Sequence, residues 1–308
     1  MAARAHSQGQ MAGQRFIDPS VLARIDNLEL IARNVVDGFI SGLHQSPMLG
    51  MSVDFAEHRA YMPGDDVRRI DWRLFARTDR LYVKEFEADT NANLHLLLDV
   101  SRSMDFGSGA ATKLEYAKFL GASLAYLSMR QRDRIGLITF DADIVEVIPP
   151  SIRHFETVLH ALDRLEAGGA GDYLKPLQRI GESLRRRSLV VLISDLYAPP
   201  DELLKAIDQL RLRGNDLIVF HLLDPLELNL ELGDAGSVED LESGSRMPIA
   251  AREFQGEYRR LIQAHQAELQ RRLGASQVDY IFTDTSQPLD DVLYRYLADR
   301  ARQKGGRR

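Results

Sequence analysis

Apolar runs alternate with amphipathic stretches along the second two thirds of this 308-residue chain. Six short, nearly uninterrupted apolar runs predict strands: "LHLLLDV" over 94–100, "RIGLITF" over 134–140, "DIVEVI" over 143–148, "SLVVLIS" over 188–194, "DLIVFHLL" over 216–223 and "VDYIFT" over 278–283. Runs this apolar need burial on both faces, which a parallel sheet covered by helices provides. The intervening stretches have helical spacing: "TKLEYAKFLGASLAYLSMRQ", "HFETVLHALDRL", "YLKPLQRIGESLRR", "PPDELLKAIDQLRLRG" and the long "AREFQGEYRRLIQAHQAELQRRL", with a last helix after Pro288. Strand and helix in alternation predict an α/β fold with a doubly wound, mostly parallel sheet. No helix separates "RIGLITF" from "DIVEVI", so those two strands should form an antiparallel hairpin. In the long helix, Phe254, Tyr258, Leu261, Ile262, His265, Leu269 and Leu273 form one stripe, which suits core packing.

Upstream the pattern differs. "DPSVLARIDNLELIARNVVDGFISG" predicts one helix, with Asp18 as cap, Pro19 at the first helical position and Gly42 at the exit. A densely charged segment of both signs follows. The expected organisation is a leader over 1–15, an N-terminal helical and charged extension over 16–90, and the α/β domain over 91–308.

Composition adds exclusions. With 44% hydrophobic and 27% charged residues the chain has an ordinary globular make-up. A net charge of −6 speaks against a dedicated nucleic-acid binder, which carries a concentrated basic face. Without cysteine there is no disulfide, thiolate ligand or cysteine nucleophile. No apolar run approaches the length of a membrane span. The first fifteen residues lack the apolar core of a secretory signal, so a cytoplasmic protein is expected.

The candidate chemistry sits at strand ends. Asp99 terminates the first apolar strand, and Ser101 and Ser103 follow at alternating positions. A second carboxylate, Asp195, ends the run "SLVVLIS". Ligands of open α/β sheets bind at the carboxyl ends of strands, near the switch in strand order. Two aspartates and two hydroxyls there make a cradle for a hard divalent cation such as Mg²⁺. The same residues also suit a plain strand-to-helix turn, with the serines capping the next helix and Asp99 accepting backbone amides.

The Asp-x-Ser-x-Ser spacing, the later strand-end Asp195 and the hairpin "GLITFDADIVEVIPP" resemble the von Willebrand factor A domain, a Rossmann-type fold. That family places a metal-ion-dependent adhesion site at this motif, which implies Asp99, Ser101, Ser103 and Asp195 as metal positions. The family draws a further threonine ligand from the loop after its third helix. Here that loop reads "AGGAGDYLKPL", with Gly171 at the threonine position. Either Asp172 substitutes, or the site is weak, or no metal binds.

The upstream block "RAYMPGDDVRRIDWRLFARTDRLYVKEFE" resembles the signature of the bacterial domain-of-unknown-function family 58, whose members join such a block to a von Willebrand A-like domain. Gly64, Asp65, Asp66, Arg68, Asp71, Trp72, Arg77 and Lys84 match that signature. The resemblance implies a role beside MoxR-type AAA+ ATPases, as an adaptor or co-chaperone with a client protein.

Enzyme motifs fail in turn. Asp105-Phe106-Gly107 lacks the other kinase elements, the spacing from Gly107 to Lys113 is wrong for a phosphate loop, and no Gly-x-Ser-x-Gly elbow occurs. A dehalogenase-type phosphatase wants an aspartate where Ser101 stands. The sequence therefore favours a non-enzymatic protein-interaction module. The runner-up is a metal-dependent phosphoester hydrolase using Asp99, Asp172 and Asp195.

Overall fold

The structure is a computed structural model describing residues 19–25, 27–45, 57–61, 72–85, 92–169, 171–184, 187–211, 213–230, 236–239, 246–249, 251–294 and 296. The N-terminal region divides into α1 (Pro19–Leu22) and α2 (Leu28–Gln45), not one continuous helix. The break has a local cause. Arg24 N bonds Val21 O and Ile25 N bonds Leu22 O, tightening the end of α1. Asn27 then restarts the helix, its Oδ1 accepting from Leu30 N at 2.8 Å. Gly42 lies inside α2, not at its exit, and the cap expected at Asp18 lies outside the described residues.

Next come β1 (Glu57–Ala60), α3 (Trp72–Thr78) and β2 (Tyr82–Glu85), with β1 and β2 paired antiparallel. The α/β portion runs β3 (Asn93–Asp99), α4 (Lys113–Arg130), β4 (Arg134–Phe140), β5 (Ile144–Ser151), α5 (Phe155–Asp163), α6 (Leu174–Ser183), β6 (Leu189–Ser194), α7 (Pro200–Arg211) and β7 (Asp216–Leu223). It continues through α8 (Pro225–Asn229), β8 (Gly236–Glu239), β9 (Arg246–Ile249), α9 (Ala251–Ala275) and β10 (Asp279–Asp284), and residues 289–294 are again helical.

The sheet order is β10-β7-β6-β3-β4-β5. Every neighbouring pair is parallel except the β4–β5 hairpin. The chain leaves β3 toward β4 and β5, then returns to place β6 on the other side of β3. The switch in winding therefore lies between β3 and β6, at the carboxyl ends that carry Asp99 and Asp195.

Both faces of β3, β4, β6 and β7 are covered, which is why those strands are apolar throughout. The edge strand β5, expected to be buried on both faces, instead exposes Val145 and Val147. Leu96 and Leu98 of β3 pack with Ile31 and Val35 of α2, Tyr116 and Leu120 of α4, and Val158 and Leu162 of α5. On the opposite face Leu97 packs with Leu177 and Ile180 of α6, Leu203 and Ile207 of α7, and Leu269 and Leu273 of α9. Helices α6 and α7 meet at Gly181, where an added Cβ would stand 2.6 Å from Gln209 O. Of the expected α9 stripe, Leu269 and Leu273 are buried. Leu261, in the middle of the same helix, is 63% exposed. No described helix is long and apolar enough to cross a membrane.

Candidate functional site

Each strand at the switch ends in a side-chain-directed turn. The buried leucines of β3 hold it extended to Asp99, whose Oδ1 then accepts from Ser101 N at 2.9 Å. At the end of β6, Ser194 Oγ accepts from Leu196 N at 3.0 Å. Such short-range acceptors turn the chain without further secondary structure. They leave Asp99 and Asp195 facing one another across the gap, at 1% and 0% exposure.

The gap is bridged by a hydroxyl. Tyr173 precedes α6, and its Oη lies 3.0 Å from Asp99 Oδ2 and 3.2 Å from Asp195 Oδ1. Ser194 Oγ donates to Asp99 Oδ2 at 2.7 Å and lies 3.2 Å from the Tyr173 hydroxyl. The Tyr173 ring is held edge-on to Phe140 at the end of β4.

A buried ammonium closes the other side. Lys113 is the first residue of α4, behind a Thr112–Glu115 capping box. Its Nζ donates to Asp195 Oδ2 at 2.7 Å and to Glu227 Oε1 at 2.6 Å, and its side chain is fully buried. Tyr197 and Phe106 roof the ammonium, with ring centroids 4.9 and 6.0 Å from Nζ. Glu227 comes from α8, where Asp224 and Glu227 form a second capping box. Asp224 also crosses the rim, accepting from Ser108 N at 2.9 Å and from the Ser108 hydroxyl.

The electrostatics follow from burial. Desolvation and the neighbouring Asp195 push the Asp99 carboxyl above its ordinary range, against the bonds from Ser101 and Ser194. Burial alone would lower Lys113, but Asp195 and Glu227 outweigh it and hold the ammonium above the usual lysine value. Burial raises Glu227 even with Lys113 beside it. Burial, then the two aspartates, push Tyr173 well above an ordinary phenol, so it remains a hydroxyl. Below the cluster, desolvation pulls His221 down to about 3, and its Nδ1 lies 2.7 Å from Tyr280 Oη.

Of the residues expected at the metal, Asp99, Ser101, Ser103 and Asp195 do converge. Ser101 Oγ and Ser103 Oγ lie 3.2 Å apart and both residues are buried. Asp172 does not join them. It is exposed and its Oδ1 accepts from Leu174 N at 3.0 Å at the start of α6. Tyr173, one residue further on, enters the gap in its place. Sequence reasoning missed Tyr173, Lys113, Ser194 and Glu227. One signal was available: a lysine at the first turn of a helix opposes the helix dipole and calls for a compensating anion.

The arrangement does not fit a resident Mg²⁺. Such an ion takes near-octahedral oxygen ligands and usually keeps several waters. Here the four oxygens of Asp99 and Asp195 are each engaged by a protein donor. Among the described residues no group of three or more His, Asp or Glu side chains is arranged to hold a metal.

The family-signature residues stand elsewhere in the chain. Gly64, Asp65, Asp66, Arg68 and Asp71 lie outside the described residues. Trp72 opens α3, 59% exposed and edge-on to Phe75 at 6.1 Å. Arg77 lies in the last turn of α3 and is exposed. Lys84 sits on β2 opposite His58.

Comparison with known proteins finds relatives along most of the chain. Uncharacterized protein Rv1480 of Mycobacterium tuberculosis is 29% identical over 300 residues, covering 92% of this chain and 91% of the relative. Uncharacterized protein Mb1516 of Mycobacterium bovis is similar to the same extent. Among solved structures, the conserved hypothetical protein BatB from Bacteroides thetaiotaomicron is 14% identical, with a TM-score of 0.47 over 68% of this chain and 99% of that one. The SpRpn10 VWA domain is 14% identical, with a TM-score of 0.41 over 66% and 93%. The fold is α/β, a six-stranded, mostly parallel sheet flanked by helices. The family described as "Protein of unknown function DUF58" matches residues 57–268, more than half of the chain. The chain belongs to the DUF58 family.

Proposed function

We propose that this chain is a non-enzymatic protein-interaction module of the cytoplasm, acting as an adaptor or co-chaperone for a MoxR-type AAA+ ATPase and a client protein. The observation that carries the reading is the closed state of the strand-end cluster. A hydrolase at this rim needs a carboxylate free to act as nucleophile or base on a bound substrate. Asp195 is instead fully buried and paired with Lys113, and Asp99 is bonded to Ser101, Tyr173 and Ser194. What the rim offers to solvent is a mixed surface: Arg102 and Asp105 from the turn after β3, Asp172 and Leu174 at the start of α6. Such a surface suits a macromolecular partner better than a small substrate. The choice of a MoxR-type partner rests on the family resemblance carried by the block from Gly64 to Lys84.

The test pairs the purified chain with a MoxR-type ATPase in sedimentation and ATP-hydrolysis assays. A complex, a changed ATPase rate, and at least a roughly tenfold weakening by Arg102→Glu with Leu174→Glu are expected. No complex in any nucleotide state would refute the adaptor reading. So would Mg²⁺- or Mn²⁺-dependent phosphoester turnover that Asp195→Asn abolishes.

A further inference from the structure

We propose that Lys113 is the built-in cation of this site: its ammonium supplies, from within the chain, the positive charge that the strand-end carboxylates demand, and the chain binds no divalent ion there. The inference concerns the cation requirement of the chain itself and holds whatever the partner is.

Three observations carry it. First, the donors are complete. Asp99 Oδ1 accepts from Ser101 N, Asp99 Oδ2 from Ser194 Oγ, and the Tyr173 hydroxyl spans Asp99 Oδ2 and Asp195 Oδ1. Asp195 Oδ2 takes the ammonium. A metal entering between the aspartates would have to displace Tyr173, whose ring is packed against Phe140.

Second, the ammonium is fixed on every side. Its stem is fully buried, its head bonds two carboxylates from separate elements, and two aromatic rings lie against it. A cation placed over aromatic faces in a desolvated site gains further attraction. Expelling it would leave a lysine charge buried without a partner.

Third, the position is costly unless the charge is used. Lys113 stands at the first residue of α4, where the helix dipole disfavours a cation. Two carboxylates, one reaching in from α8, reverse that preference. The raised protonation range of the lysine keeps the charge in place at neutral pH.

The test is cation binding, read without any activity. The full chain is stripped with EDTA, then titrated with Mn²⁺ by electron paramagnetic resonance and with millimolar Mg²⁺ by thermal unfolding. An unmoved midpoint and no bound Mn²⁺ are expected; one Mn²⁺ bound per chain would overturn the proposal. Lys113→Ala should lose roughly 10 °C in unfolding midpoint, since it strands two buried carboxylates, and Mn²⁺ should restore part of that loss. A Lys113→Ala chain that unfolds at the wild-type midpoint would also overturn it. Because Lys113→Ala can fail to fold, Lys113→Met combined with Asp195→Asn and Glu227→Gln is made beside it. With all three charges gone, the chain should fold and stay indifferent to Mn²⁺; a Mn²⁺ response in that variant would count against the ammonium's role.

Discussion

The sharpest stability prediction concerns His95, in the middle of β3. The ring is 7% exposed, and neither nitrogen has a hydrogen-bond partner among the described residues. Desolvation by burial pulls its pKa from 6.5 to about 4. Each pH unit of difference between folded and unfolded states corresponds to about 1.4 kcal/mol, so the full effect is about 3.4 kcal/mol. The sign follows from proton counts. Between pH 6.5 and about 4 the unfolded chain binds a proton at this position and the folded chain does not. The contribution is therefore wholly present above 6.5 and is lost progressively as pH falls toward 4. His95→Leu removes the titration while keeping an apolar strand residue of similar size. Urea unfolding of both proteins at a series of pH values isolates the effect, because Asp99 and His221 titrate equally in each and cancel in the difference. From pH 7 to pH 5 the variant should gain about 2 kcal/mol on the wild type. Parallel stability curves would refute the argument and imply that the ring is solvated or paired in solution.

Three further outcomes are expected. Tyr173→Phe removes the hydroxyl between two carboxylates and should cost about 1–3 kcal/mol in urea unfolding; an unchanged midpoint would show that the aspartates are separated by other means. Gly181→Ala puts a Cβ 2.6 Å from the Gln209 carbonyl, so α6 and α7 must part, at about 1–3 kcal/mol in the same assay. Asp224→Ala deletes both the α8 cap and the bonds to Ser108, and should cost about 1–2 kcal/mol. Hydrogen exchange should then accelerate at Ser108, and unaltered exchange there would contradict the contact.

The sheet was largely legible in the sequence because its cause is local. Each of the six apolar runs became a strand within two or three residues of its expected ends, and the missing helix after "RIGLITF" correctly marked the hairpin. The positions of Asp99 and Asp195 were legible for the same reason: a polar residue that stops an apolar run marks a strand end. Their neighbours were not. Tyr173 reads as the first apolar residue of a helix, and only the closure of the sheet brings its hydroxyl to the aspartates. Glu227 reads as an ordinary acidic residue near a helix start, yet its carboxylate crosses to a lysine 114 residues earlier. Pairings of that range leave no periodic trace. The split between α1 and α2 was a local misreading, since Asn27 carried a capping signal that the apolar spacing masked.

The reach of that lysine has a temporal side. Lys113 and Glu227 are 114 residues apart, and at about 5–20 residues per second a ribosome needs roughly 6–23 s to make the intervening chain. Until α8 has emerged, an α4 that packs early would bury an ammonium lacking one of its two anions. The nascent chain is thereby discouraged from settling its first half before the second arrives. Ribosome-stalled chains ending before Glu227 should stay protease-sensitive around α4, and resistance there would show that the first half matures alone.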